Sequence, residues 1–266
     1  MPYREKRILS GDYLEVEIYF ISDKERKASR KDKRKESSYK QKNLNEKNSR
    51  KWFKRLFYSN FTDKDISIHL TYAPEYLPKS YEEARKNEEN YIRRLNSYRK
   101  RIGLPKIKYL SVIEYHTPDG MDKRKRIRIH HHIIMSGMDR DTAEKLWKKG
   151  RANADRLKSD TNGYEGIANY LMKDPQGAKR WRQSKNLKKP DIHINDFKYS
   201  KKKTEQLAMF IDDRALFEKE YPGFTYIECK SSVNDITASR QIYIKMRKRT
   251  EEQKEGGTYV KRAKFD

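Results

Sequence analysis

The chain has 266 residues, with 64 Lys and Arg against 39 Asp and Glu, a formal net charge of +25 and only 34% hydrophobic residues. So large a positive excess opposes compaction unless a polyanion offsets it, which makes nucleic acid the expected partner. The lack of a long apolar span argues against a membrane, the lone Cys229 excludes an intramolecular disulfide, and the start has no signal-like apolar run, so the expected location is the cytoplasm.

Residues 12–21 alternate as a strand, with Leu14, Val16, Ile18 and Phe20 on one face. Residues 24–55 then hold fifteen Lys and Arg and only four acids. The first half reads as a flexible basic loop and the second as a basic helix carrying Lys51, Trp52, Phe53, Arg55 and Leu56. Ile66–Tyr72 forms a strand with Ile66, Ile68, Leu70 and Tyr72 inward and Ser67, His69 and Thr71 outward. Ser80 caps a helix whose buried stripe is Ala84, Tyr91, Leu95, Tyr98 and Ile102, stopped by Gly103.

Ile107–Tyr115 reads as the next strand, and Thr117-Pro-Asp-Gly120 supplies the turn of an antiparallel hairpin. Its return strand is Arg126-Ile-Arg-Ile-His-His-His-Ile-Ile-Met-Ser136. With a period of two, Ile127, Ile129, Ile133 and Met135 face one way and Arg126, Arg128, His130 and His132 the other. Asp139 or Asp141 caps a helix through Trp147, and 151–158 could make another strand. Asn162 and Glu165 read as a capping box that opens a helix from Gly163 to Lys173. A loop over 185–190, partial helix over 204–220, strands at Phe224–Val233 and Arg240–Met246, and a disordered tail after Lys248 complete the chain.

This order predicts an α+β fold, an open antiparallel sheet with helices on one face. The expected division is an N-terminal strand and basic arm (1–59), a central domain (60–200) and a C-terminal extension (201–266). The polar strand faces, carrying Ser67, His69, Arg126, Arg128, His130 and His132, would line the uncovered side as a basic platform.

Two imidazoles one strand period apart can converge on a cation, and a cation tames phosphate chemistry. Glu114, on the neighbouring strand, would complete a three-ligand site suited to Mn²⁺ or Mg²⁺. It shares its strand face with Leu110 and Val112, so that face is mixed; a twist or bulge could resolve this, and His116 is the substitute ligand. The plain alternative for Glu114 is a salt bridge to Arg126 or Arg128. Tyr170 and Lys173 lie three apart on the expected helix and would project together. A phenol is a competent nucleophile towards phosphorus when metal and ammonium offset its scarce ionised form. The plain alternative for a helix tyrosine is a core side chain, and Tyr164 is the reserve nucleophile.

The run His130-His131-His132-Ile-Ile-Met135, with Tyr170-x-x-Lys173 downstream, resembles the HUH endonuclease superfamily, within it the rolling-circle replication initiators of phages and plasmids. Ile68-His-Leu-Thr-Tyr72 is similar to that family's first motif, Ser111-Val-Ile-Glu114 to its acidic strand, and Ser184–Pro190 to a segment after the tyrosine helix. The resemblance covers about residues 60–190 and implies an RRM/ferredoxin-like core. It also implies His130, His132 and Glu114 as ligands and Tyr170 as the nucleophile that nicks and rejoins single-stranded or hairpin origin DNA. The intermediate would be a 5′-phosphotyrosine with a free 3′-OH. His131 departs from the family pattern, where a bulky hydrophobe occupies the middle position; the strand period turns it to the buried face. The segment Tyr170-Leu-Met-Lys173 holds one tyrosine, which favours a one-nucleophile enzyme.

No Gly-x-x-x-x-Gly-Lys-[Ser/Thr] is present, so unwinding would come from a host helicase and synthesis from a host polymerase. DNA contacts are expected from Arg126, Arg128, His69, Lys51, Arg55, Lys188 and Lys189, with affinity that falls steeply with salt. A relaxase or single-strand transposase would share the chemistry; a non-catalytic nucleic-acid-binding protein is the competing class.

Overall fold

The structure, a computed structural model, describes residues 3–22, 39–114, 128–160, 162–173, 180–234 and 237–250. The basic stretch 24–38, the turn Thr117–Gly120, His116, Arg126 and the tail from residue 251 lie outside the described residues. In chain order the strands are β1 (Tyr3–Ser10), β2 (Tyr13–Phe20), β3 (Ile66–Leu70), β4 (Tyr109–Glu114) and β5 (His130–Met135), then β6 (Ala152–Arg156), β7 (Arg182–Gln183), β8 (Asp191–Tyr199), β9 (Phe224–Val233) and β10 (Arg240–Lys248). The helices are α1 (Tyr39–Asn60), α2 (Tyr81–Arg101), α3 (Arg140–Lys145), α4 (Glu165–Leu171), α5 (Lys201–Met209) and α6 (Arg214–Glu220). The fold is α+β, as the pattern predicts, with two antiparallel five-stranded sheets. It divides into two compact units, residues 44–188 and residues 1–43 with 189–266.

In the 44–188 unit the strand order is β6-β3-β5-β4-β7. Ile66, Ile68 and Leu70 of β3 are fully buried, and they meet Ile133 and Met135 of β5 and Ala84, Tyr91, Ile92 and Leu95 of α2 in one core. The start of α2 is set by Ser80, whose Oγ accepts from the Glu83 amide at 3.2 Å. Glu82 and Glu83 occupy its first turn and Arg99, Lys100 and Arg101 its last, each complementing the helix dipole. Ile102 does not join the buried stripe: it is the C-cap, 50% exposed, because the chain turns there into Gly103 at φ +73.

Asp139 caps α3, accepting from the Thr142 amide at 2.9 Å. The helix ends at Lys145, short of Trp147. That tryptophan is fully buried and donates its Nε1–H to the Thr71 carbonyl at 2.7 Å, locking the chain just beyond β3. The capping box at Asn162 does not form. Tyr164 is the N-cap of α4, without a side-chain cap, since Asn162 turns its amide to Asp160 and Glu165 pairs with Lys54 at 2.7 Å.

The other unit has order β8-β1-β2-β10-β9. Gly11, at φ +58, makes the two-residue turn that brings Ser10 opposite Tyr13. Val16, Ile18, Ile242, Ile244 and Met246 pack with Leu207 of α5 and Phe217 of α6. β1 and β8 are not foreseen from the sequence, because their charged residues break the apolar alternation. Their pairing joins residues 3–20, 191–199 and 224–248 in one sheet, which the division at 59/60 and 200/201 does not follow.

Candidate metal and nucleophile site

In antiparallel sheets directly opposed residues share a face with Cβ atoms about 5 Å apart. The register places His69 opposite His132 and Glu114 opposite His130. Three imidazoles therefore meet on one face from two adjacent strands. The His69 and His132 rings stack with centroids 4.7 Å apart and planes 7° apart. His130 stands edge-on to both, at 4.8 and 4.9 Å. Glu114 reaches this face with no bulge: its Oε2 lies 3.0 Å from His130 Nε2 and 3.6 Å from His132 Nε2. The face is mixed as expected, since Leu110, Val112 and Ile134 are buried along it.

The three histidines could hold a metal ion, one ring nitrogen from each lying within 4.8 Å of the others. The chemistry of the donors fits a cation. Among the described residues, the buried His69 Nε2 and His132 Nε2 have no hydrogen-bond partner. Burial, reinforced by the neighbouring histidines, pushes the His132 pKa down to about 3, and burial also lowers that of His69. Both rings are thus held neutral, the form that ligates. His130 Nδ1 lies 2.8 Å from the Arg128 carbonyl and must donate to it. A neutral His130 would then aim a lone pair at the Glu114 carboxylate, acceptor against acceptor. A proton or a cation must stand between them, and the two bare Nε2 atoms alongside favour the cation.

His131, between the two outward histidines, is fully buried on the core side. Its Nε2 is 2.7 Å from the Tyr72 hydroxyl and its Nδ1 3.2 Å from Glu88 Oε2. The other Glu88 oxygen accepts from Ser111 Oγ at 2.8 Å and Arg182 at 3.1 Å. A spacer position thus carries a buried polar network that ties β5 to α2 and β7. Strand alternation predicts the direction of His131, but its partners come from distant segments.

Tyr170 comes to the same face as the outward histidines. Its ring is edge-on to His132, with centroids 5.4 Å apart, and the residue is 59% exposed. Lys173 is exposed and follows the helix end at Leu171. Tyr164 is buried, stacked on Phe57 at 4.8 Å, and donates to Asp63 at 2.7 Å, so it is a structural residue.

Of the residues expected to contact DNA, Arg128 is exposed and donates to the Tyr72 carbonyl at 3.3 Å. Lys51 is half-buried on α1, and Lys188 is exposed, its backbone clamped by Asn60. Arg55, on the same helix, is only 6% exposed, so little of its side chain reaches solvent. Lys189 is exposed and belongs to the other unit. His69, expected as a DNA contact, lies in the imidazole cluster; its outward direction is readable from β3, but not that β3 borders β5.

Residues 65–175 match the model of the replication-associated protein ORF2/G2P family. The matched span includes Glu114, the three outward histidines and Tyr170. Neither the curated proteins nor the solved structures gave a match. The match spans less than half of the chain, and what it shows is a similarity to replication-associated proteins.

Proposed function

We propose that this protein starts rolling-circle DNA replication by nicking and rejoining single-stranded or hairpin origin DNA, with Tyr170 as nucleophile. The observation that carries the reading is the Tyr170 ring standing 5.4 Å from His132, at the rim of the His69, His130 and His132 cluster. In this reading Tyr170 Oη gives up its proton and bonds to the scissile phosphorus. The P–O3′ bond breaks, the 3′ oxygen takes up a proton, and the strand is left with a 5′-phosphotyrosine and a free 3′-OH. Attack by a 3′-OH on the phosphotyrosine reverses the step and rejoins the strand.

His69, His130, His132 and Glu114 would hold a divalent cation, which when bound polarises the phosphate and offsets its charge. Three imidazoles with one carboxylate suit Mn²⁺ better than Mg²⁺, which prefers an oxygen shell. Lys173, one turn past the tyrosine, would offset charge on the transferring phosphoryl group, and Arg128, Lys51 and Lys188 would hold the DNA backbone.

The test is incubation of the full chain with labelled single-stranded origin DNA and Mn²⁺. A nicked product and a covalent protein–DNA adduct are expected, both lost in Tyr170→Phe. Adduct formation by Tyr170→Phe at the starting level would assign the nucleophile elsewhere.

A further inference from the structure

The other unit contains a cleft of about 270 Å³ with no part in the chemistry above. Its floor is apolar, from Leu9, Leu14, Pro222 and Phe224. Its polar lining is Arg7, His193 and Glu220. The sheet register builds one wall: Arg7 of β1 stands opposite His193 of β8, and Leu9 stands opposite Leu14.

The opposite wall is where α6 ends and the chain enters β9, and it is tied down by hydrogen bonds and ion pairs. Tyr221, which also lines the cleft, is 3% exposed; it donates to Glu5 Oε1 at 2.8 Å and lies 3.0 Å from the Tyr199 hydroxyl. Glu220 beside it takes Lys198 Nζ at 3.0 Å, the Tyr199 hydroxyl at 3.0 Å and Lys203 Nζ at 3.8 Å, all on Oε1. Burial opposes its charge, but the Lys198 ammonium wins and keeps the carboxyl below the usual range. Among these contacts Oε2 is left to accept. Arg7 is held loosely, its Nε 3.5 Å from the buried Glu5, and is 46% exposed.

An apolar floor with a few convergent polar groups is the construction of a ligand site. The floor and the carboxylate argue against a bare inorganic anion. The π-face of a nucleobase suits the Phe224 ring and the apolar lining around it. A carboxylate accepts from exocyclic amino groups, as it does from cytosine N4. Arg7 and His193 offer donors to a neighbouring phosphate. We infer that this cleft takes one unstacked base of single-stranded DNA, of the class bearing an exocyclic amino group, with a flanking phosphate on Arg7 and His193. The inference rests on the reading that single-stranded DNA is the substrate, and adds a base-reading site built by the other unit's own residues. Thymine, which lacks the amino donor, would set a carbonyl against Glu220 and be disfavoured.

The test uses the full chain carrying Tyr170→Phe, so that DNA is bound and not cut. Affinity is measured for a short labelled oligothymidylate and for the same oligomer with one central deoxycytidine or deoxyadenosine. A preference of about tenfold for the substituted oligomers is expected, the weight of one hydrogen bond to a charged group. Adding Glu220→Gln should reduce it to within about twofold, while Arg7→Ala should weaken all oligomers alike. Phe224→Leu, which keeps the floor apolar, should also weaken binding, and it serves as the second variant if Glu220→Gln melts early. Equal affinity for every oligomer, or an unchanged preference in Glu220→Gln, would overturn the cleft assignment. If the protein nicks DNA yet shows no preference, the cleft reading alone fails; if it binds no single-stranded DNA, the substrate reading fails with it.

Discussion

His130 is gripped from both sides: its Nδ1 donates to the Arg128 carbonyl at 2.8 Å while its Nε2 meets Glu114 at 3.0 Å. The ring cannot rotate away without losing the first bond, so its Nε2 stays aimed at the carboxylate. His69 and His132 add buried Nε2 atoms that have no hydrogen-bond partner among the described residues. The expected consequence is stabilisation by Mn²⁺, because a ligand that binds only the folded chain adds RT ln(1 + [L]/Kd), about 2.7 kcal/mol at a hundredfold excess over Kd. Thermal melting with and without Mn²⁺ measures it. His69→Ala should lose most of this shift, and retention of the full shift would remove His69 from the ligand set.

The two tyrosines of the 164–170 segment should separate cleanly. Tyr164 is buried and hydrogen-bonded to Asp63 at 2.7 Å, so Tyr164→Phe should lower stability by about 1–2 kcal/mol and leave adduct formation intact. Tyr170 is 59% exposed, so Tyr170→Phe should leave the denaturation midpoint within about 0.5 kcal/mol of the parent and abolish the adduct. Urea melts paired with adduct gels read both quantities. The reverse pattern would exchange the two roles.

Glu88 is the hinge of the buried network under the site, with His131 at 3.2 Å and Arg182 at 3.1 Å. Removing one member of such a network strands its partners in a low-dielectric interior. Glu88→Ala should cost about 3–5 kcal/mol, more than Glu88→Gln, which keeps hydrogen-bonding capacity. Equal, small losses in both variants by urea denaturation would mean the buried charge has little weight.

How far the sequence could be read depended on how local each cause is. The outward direction of His130 and His132 follows from alternation along one strand, and the Ser80 cap from a contact three residues away. The joining of His69 to the cluster needs the spatial order β3-β5-β4, a non-local fact that no window of sequence holds. The partners of His131 were hidden for the same reason. In β1 the residues Arg4, Glu5, Lys6 and Arg7 mask the alternation; buried Glu5 accepts from Lys198 and Tyr221, which lie 193 and 216 residues further on. Arg55 shows the converse: a basic run suggests exposure, yet this residue of the run is only 6% exposed.

His132 gives a pH prediction for the protein without added metal. Burial holds its folded-state pKa at about 3, against 6.5 for a free side chain. The unfolded chain therefore takes up this proton first as the pH drops. Stability should be fully present above about pH 6.5, fall as pH decreases below that value, and level off only near the folded pKa. Carboxylates titrate over the lower part of this window, so the comparison with His132→Asn isolates the histidine. Between pH 7 and about pH 5, where carboxylates with ordinary pKa values remain largely ionised, the parent in EDTA should lose more stability than the variant by urea denaturation. Parallel stability–pH curves for the two would show that burial does not hold His132 neutral in the folded chain.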